Sequence, residues 1–382
     1  MITKYFMTSK WFRVLLLVWA CLAWAACSNG TADKAAGSQD SVITDAQLLD
    51  MEVQPTYTKV VVKDPWKKGQ VLHTYILVPS DEDLPGNLPQ GTVVRTPLKN
   101  ALVYSSVHTA VMEELGCGSS VKGVCDTNFF TDSLVLAGLK NGSVTDCGSS
   151  MAPSVEKVIN MSPDGILLSP FQDGIYGQIA KLNIPIIECA DYMEGTPLGR
   201  AEWIKFYGAL LGKLDVADSI FNEVKTNYNR IKAEVAKSGG KRPLVLTETV
   251  VSGVWNVPGG QSYMSRLIED AGGDWPWADD KSTGSLTLDF NQVLAKAQHA
   301  DVWLIKAFGV SSYADLKAGY GLNDQFDAFK NRHVWFCDTQ NCHIFEEFPF
   351  HPERLLNEYY TIFHPNVKTH WQMRYYKPLA DK

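Results

Sequence analysis

The stretch of residues 213–238 limits what this chain can become. Apolar residues at Leu214, Ala217, Phe221, Val224, Tyr228, Ile231 and Val235 recur at alternating spacings of three and four. That is the helical period, and Asp218, Glu223, Lys225, Arg230 and Lys232 occupy the remaining faces. No Pro or Gly falls inside it to break the hydrogen-bond ladder. At about 1.5 Å per residue such a helix runs roughly 35–40 Å, the width of a small domain. "TPLGRAEWIKFYGALLG" leads into it and Gly212 marks a break. Residues 196–238 therefore read as two helical pieces, of which only the second is long enough to cross from one lobe to another.

The flanks read alike. On the N-terminal side, short strand-like runs at residues 101–105, 121–125, 143–150, 166–168 and 185–189 alternate with helical patterns, one of them opened by Ser154 as N-cap. On the C-terminal side, "RPLVLTETV", "DVWLIKAFG" and "HVWFCD" are strands, "YMSRLIEDAGG" and "LTLDFNQVLAKA" carry helices, and "WNVPGGQS" reads as a loop. A closing helix is expected over residues 351–363. Alternation at this spacing predicts parallel sheets. The fold class is α/β: two Rossmann-like lobes with parallel sheets joined by one long helix. Before the first lobe, runs at 57–63 and 71–78 flank a Pro- and Gly-containing turn, which predicts a β-hairpin extension.

The boundaries follow: signal peptide 1–27, disordered tether 28–55, hairpin extension 56–97, N-terminal lobe 98–198, bridging helices 199–240, C-terminal lobe with its closing helix 241–382. Lys4, Lys10 and Arg13 precede an apolar run at 14–26 that is short for a membrane span and ends in "AWAAC". Small residues before Cys27 and a polar stretch after it resemble a bacterial lipoprotein signal, with Cys27 as the lipidated residue. The mature chain is then expected outside the cytoplasm. With a length of 382 residues, 45% hydrophobic and 20% charged, there is material for two cores. A net charge of −7 without any Lys/Arg-rich run argues against nucleic acid as a partner. Six further cysteines, Cys117, Cys125, Cys147, Cys189, Cys337 and Cys342, follow the leader. Cys337 and Cys342 are close enough to pair, but spacing does not fix pairing, and buried free thiols fit equally.

"LVYSSVHTAVMEELG", "GVCDTNFF", "SVEKVINMSPDGILL", "LNIPII" and "TPLGRAEWIKFYGALLGKLDVADSIFNEVKTNY" together resemble the cobalamin and ferric-siderophore class of periplasmic substrate-binding proteins. The resemblance covers about residues 98–365. It implies a lipid-anchored protein at the periplasmic face of the cell envelope, working with an ABC permease and its ATPase. It also implies a largely preformed cleft for a ferric siderophore, a corrinoid or haem, and no catalytic role or resident cofactor. In that family a Glu on each lobe docks on the permease. Glu156 in "SVEKV" matches the first; at the second position this chain has Asn291, and Asp289 stands near enough to substitute.

Ligands of open α/β sheets bind at the carboxyl ends of the strands. The loops there carry many aromatics, which suit a large planar or macrocyclic ligand. The candidate ligand contacts are His108, Phe130, Met151, Phe171, Tyr192, Trp255, Tyr263, Trp277, Phe308 and Phe345. His108 stands on the first strand–helix loop, where an imidazole would reach a haem or corrin metal. Arg200, Lys281 and Lys306 are candidate partners for an anionic chelate. No protein metal site is expected: "HIFEEFPFH" lacks the HExxH order. GxSxG, P-loop and GxGxxG fingerprints are missing, and Ser105, Ser106 and His108 have no evident third member of a triad. An extracytoplasmic chelatase or hydrolase on the same fold is the rival class.

Overall fold

The computed structural model describes residues 42–174, 176–367 and 371–381. It opens on a four-stranded sheet, β1 (Leu49–Val53), β2 (Thr58–Lys63), β3 (Val71–Pro79) and β4 (Thr92–Thr96), in that order. The first three strands are antiparallel and β4 lies parallel to β3 at the edge, where Pro97, which has no N–H to donate, follows it. The hairpin is thus part of a larger sheet. The expected tether is corrected over residues 42–55, which are ordered. Leu49 and Met51 alternate inward in a strand too short to stand out in the sequence. The residues before it are held by carboxylates far along the chain: Glu202 accepts the Thr44, Asp45 and Ala46 amides at 2.6–3.0 Å, and Glu194 accepts those of Gln47 and Leu48. The signal peptide and Cys27 lie outside the described residues.

The first lobe follows as β5 (Ala101–Val103), α1 (Ser106–Glu114), β6 (Val121–Val124), α2 (Ser133–Asn141), β7 (Thr145–Asp146), the small ribbon β8 (Gly148–Ser149) and β9 (Ala152–Pro153), α3 (Val155–Met161), β10 (Gly165–Leu168) and β11 (Ile186–Glu188). Five parallel strands form its sheet in the order β11-β10-β5-β6-β7. The central strands β10, β5 and β6 are mostly apolar and buried, as strands covered on both faces must be, whereas the edge strand β7 carries Thr145 and the exposed Asp146.

Three helices lead across. They are α4 (Pro197–Glu202), α5 (Ile204–Leu210) and α6 (Leu214–Ser238). Gly212, at φ +66, makes the break before α6. At Gly208 a Cβ would come within 2.6 Å of Ala217 Cβ, so only glycine lets α5 lie this close to α6. The buried face of α6 is Ala217, Phe221, Val224, Tyr228 and Ile231. Ala217, Phe221 and Val224 pack into the core of the first lobe, Tyr228 and Ile231 into that of the second. One helix therefore belongs to two cores.

The second lobe contains β12 (Val245–Thr247), β13 (Val250–Val251), β14 (Val254–Pro258), α7 (Tyr263–Asp270), β15 (Ser285–Leu288), α8 (Phe290–Ala297), β16 (Val302–Ala307), α9 (Tyr313–Gly319), α10 (Asp327–Lys330), β17 (Val334–Asp338), α11 (Ile344–Glu347), α12 (Pro352–Phe363) and β18 (Tyr376–Pro378). Its main sheet runs β12-β16-β17-β18, with β18 antiparallel. The "WNVPGGQS" loop is corrected in its first half: Val254–Pro258 is the middle strand of an antiparallel β13-β14-β15 meander. Trp255 and Val257 point inward and Asn256 outward, a period of two that the following Pro-Gly-Gly obscures.

Candidate functional site

A cavity of about 870 Å³ opens between the lobes. The first lobe supplies Val107 from α1, Tyr192 and Met193 from the turn after β11, and Arg200 from α4. The second lobe supplies most of the wall: residues 248 and 249 leading into the meander and 250, 251 and 256 within it, Tyr263 and Met264 from α7, Lys306–Phe308 at the end of β16, and Phe345 and Phe348 around α11. α7 starts here because Ser262 caps it, accepting the Ser265 amide. That cap points the first turn, with Tyr263, at the cavity.

Both cations in the wall are paired. Arg200 is buried, donates from Nε to Asp191 Oδ2 at 3.1 Å, and lies 4.8 Å from the Tyr263 ring centroid. Burial alone would raise the Asp191 carboxyl, but the His108 ring and the Arg200 guanidinium outweigh it and hold it below the ordinary range. Lys306 donates to Glu248 Oε1. Burial would lower the lysine, and the Glu248 charge overcomes that and raises it. Glu248 itself sits at φ +62, an uncommon conformation for a side-chain-bearing residue. Asp315 completes the acidic lining, and hydrogen bonds from the Ser311 hydroxyl and amide hold its carboxyl low. The cavity thus offers two ion pairs and no surplus positive charge. Lys281 is exposed and does not line it.

The ten candidate contacts divide into three groups. Tyr192, Tyr263, Phe308 and Phe345 line the cavity, Phe308 at 70% exposure. Met151 and Phe171 line a second, smaller cavity of about 230 Å³ in the first lobe, beyond the carboxyl ends of β5 and β10, with Met151 80% exposed. His108, Phe130, Trp255 and Trp277 are corrections, since all four are buried. His108 lies within α1, not in a loop, with Nε2 3.8 Å from Asp191 and its ring 5.6 Å from Tyr207; its neighbour Val107 faces the cavity instead. Phe130 joins the first-lobe core while Phe129 is 74% exposed. Trp255 has no exposed surface: its indole donates to Thr247 O at 2.9 Å and its ring stacks on Trp303 at 5.7 Å. Trp277 packs on Trp275, centroids 5.1 Å apart. Val250, Val251 and Asn256 of the meander also line the cavity, although the sequence singled out none of them as a contact: Val250 ends the expected strand "RPLVLTETV" and Asn256 lies in the expected loop "WNVPGGQS".

The family model for periplasmic binding proteins matches residues 103–340. The chain belongs to that family. An uncharacterized lipoprotein of Methanocaldococcus jannaschii is 28% identical over 302 residues, 74% of this chain and 70% of its own length. Among solved structures, an ABC transporter substrate-binding protein from Listeria monocytogenes aligns with a TM-score of 0.54 at 19% identity, covering 70% of this chain and 100% of that one. An ABC-type Fe3+-hydroxamate transport system protein from Saccharomonospora viridis aligns at 0.53 and 18%, covering 69% and 93%. A periplasmic haem-binding protein from Pseudomonas aeruginosa aligns at 0.55 and 16%, covering 72% and 96%. At these identities the structures support the two-lobed fold.

In this binding protein the lobes also touch directly. Ser106 Oγ donates to Glu346 Oε1 at 3.0 Å, Thr131 Oγ1 and His343 Nδ1 are 3.1 Å apart, and His351 Nε2 lies 2.6 Å from Glu114 Oε1. These contacts absorb the polar side chains of "HIFEEFPFH": Glu347 turns instead to Arg354 and Tyr375. Among the described residues no group of three or more His, Cys, Asp and Glu side chains is placed to hold a metal ion. No helix among them is long and apolar enough to cross a membrane. The two expected docking residues sit at helix starts. Glu156 is exposed in the first turn of α3, and Asp289 is the N-cap of α8, where it accepts the Gln292 amide at 2.9 Å in a capping box.

Proposed function

We propose that this chain is the extracytoplasmic substrate-binding lipoprotein of an ABC importer, and that it carries a metal chelate of low net charge, a ferric siderophore in first place. The observation that carries this reading is the charge balance of the cavity. Arg200 and Lys306 are each committed to a carboxylate, and the rest of the wall is aromatic, aliphatic, thioether or hydroxylic apart from the Asn256 amide and the Asp315 carboxylate, which accepts from Ser311. A polyanionic ligand would leave its charges buried without partners, which is costly. A chelate whose ligand groups already neutralise the metal avoids that cost. The Saccharomonospora neighbour belongs to an Fe3+-hydroxamate transport system, and a ferric hydroxamate is chemistry of this kind. The lipoprotein name of the Methanocaldococcus relative supports the anchor at Cys27.

Tyr192, Tyr263, Phe308 and Phe345 favour a second ligand class, a haem or corrinoid, whose flat face stacks on aromatic rings. The rival enzyme reading has less support. Ser105 Oγ accepts the Val107 amide and Ser106 Oγ is given to Glu346, so neither hydroxyl is held by His108. For delivery, Glu156 and Asp289 are the carboxylates that meet the permease.

The test is titration of the purified protein with ferric hydroxamates, ferric catecholates, haemin and cyanocobalamin, followed by tryptophan quenching. One-to-one saturation by a ferric hydroxamate is expected. Saturation by haemin or cyanocobalamin alone moves the ligand to the second class. Binding only of a highly anionic catecholate chelate would overturn the charge argument.

A further inference from the structure

Cys337 is the penultimate residue of β17, and Cys342 ends the turn that follows. The turn is tight: the Cys342 amide donates to Asp338 O at 3.0 Å, and Asn341 Nδ2 donates to Asp338 Oδ2 at 2.7 Å. It brings the two thiols to an Sγ–Sγ distance of 2.7 Å, inside the ordinary contact distance of two sulfur atoms. Cys337 is buried and Cys342 is half-buried, so the pair is reached from solvent through Cys342. Cys117 and Cys189, by contrast, each point at a backbone carbonyl of their own strand or turn.

The position of the pair gives it a consequence. The chain leaving Cys342 supplies His343, Phe345 and Glu346 in succession. His343 and Glu346 bond to Thr131 and Ser106 of the other lobe, and Phe345 forms part of the cavity wall. A cross-link at the root of this segment fixes where all three stand.

We propose that Cys337 and Cys342 are a modification site, oxidised to a disulfide that fixes residues 338–348 against the first lobe. The oxidant is a disulfide of the extracytoplasmic space, a requirement that rests on the proposed location. The Cys342 thiolate attacks one sulfur of that donor, forming a mixed disulfide and expelling a thiolate. Cys337 gives its proton to solvent and attacks Cys342 Sγ, forming the internal bond and expelling the second thiolate. The two cysteines lose two electrons and two protons, and the donor disulfide gains the electrons as two thiols. Cys342 suits the first role because it is the more exposed, and because a hydrogen bond from Cys337 lowers its thiol.

The experiment is differential alkylation of the full chain. The protein is purified without reductant, incubated with oxidised glutathione, denatured and alkylated, then reduced and alkylated with a second reagent of different mass. Cys337 and Cys342 are expected to carry the second label and Cys125 and Cys147 the first. In C342S, Cys337 is expected to carry the first label, and residues 338–348 are expected to be cut several-fold faster in limited proteolysis. First label on both Cys337 and Cys342 of the native chain overturns the proposal, as does a bond from either to another cysteine. If C342S does not fold, the native labelling decides alone. No ligand enters this measurement, so failure of chelate binding and failure of the disulfide are told apart.

Discussion

An aromatic residue near the end of a strand has two fates, and the face it occupies decides between them. Trp255 and Tyr263 stand eight positions apart, yet Trp255 points into the stack of Trp303, Phe290 and Phe326 while Tyr263 faces the cavity. Trp255→Ala removes a fully buried indole and is expected to cost about 3–5 kcal/mol of stability. Phe308→Ala, at an exposed cavity residue, is expected to change stability by no more than about 0.5 kcal/mol and to weaken ligand binding. Denaturant midpoints and ligand titrations on the two variants test this, and equal loss of stability in both would sink the assignment. His351 makes a different kind of statement. Burial lowers its pKa, but Glu114 and Glu353, at 2.6 and 3.1 Å, overcome this and push it up to about 9. Arg354, 3.7 Å from Glu353 Oε1, is the cation facing the same cluster. The folded pKa lies above the unfolded value of about 6.5, so this contribution is full below about pH 6.5 and is lost as pH rises through about 9. With Glu114 partly exposed, it is on the order of 2 kcal/mol. His351→Gln is expected to flatten the fall in stability between pH 6.5 and 9; an unchanged slope counts against the cluster.

At the scale of elements, α6 was legible because everything that defines it is local: the period, the lack of breakers and Gly212 before it. β1 was not, because it is only five residues long and the segment leading into it is held by a pair of carboxylates about 150 positions away, Glu194 and Glu202. β14 was half legible; its alternation is present in Val254–Pro258, but a turn-forming Pro-Gly-Gly begins at its last residue. The site followed the same division. Loops at strand ends could be located from the order of elements, which brought Tyr192, Tyr263, Phe308 and Phe345 to the cavity. Which residue of a loop faces inward depends on registers that no local pattern carries, and so Val107 lines the wall where His108 was expected. The strut character of α6 has its own test. Asn229 is exposed in the middle of this helix. Asn229→Pro removes a hydrogen bond and is expected to cost about 3 kcal/mol, and it loosens the coupling of the two cores, so ligand affinity falls with it. Asn229→Ala is expected to be neutral or slightly stabilising, with unchanged affinity. If the proline variant binds ligand as the native chain does, α6 does not hold the lobes at their spacing.

At the scale of the whole molecule, the proposed function assigns capture and delivery to different surfaces, and they should separate experimentally. The cavity is bounded by residues of both lobes, whereas Glu156 and Asp289 sit in the first turns of α3 and α8 and neither lines it. A carboxylate at a helix start has a structural role of its own through the dipole, so simple removal confounds docking with stability. Asp289 shows the difficulty most clearly, since its side chain satisfies the Gln292 amide. Serine is as good an N-cap as aspartate and carries no charge. Asp289→Ser therefore keeps the cap and deletes the charge, while Glu156→Lys reverses the charge on the exposed first turn of α3. Both variants are expected to bind ligand with native affinity in solution and to support reduced uptake in cells that depend on this protein, with the double variant the weakest. Asn291 stands two positions after Asp289 and offers an internal control: Asn291→Glu, restoring a carboxylate at the family's position, is expected to rescue part of the uptake lost in Asp289→Ser. Full uptake by the double variant at normal expression would show that delivery does not read these two carboxylates.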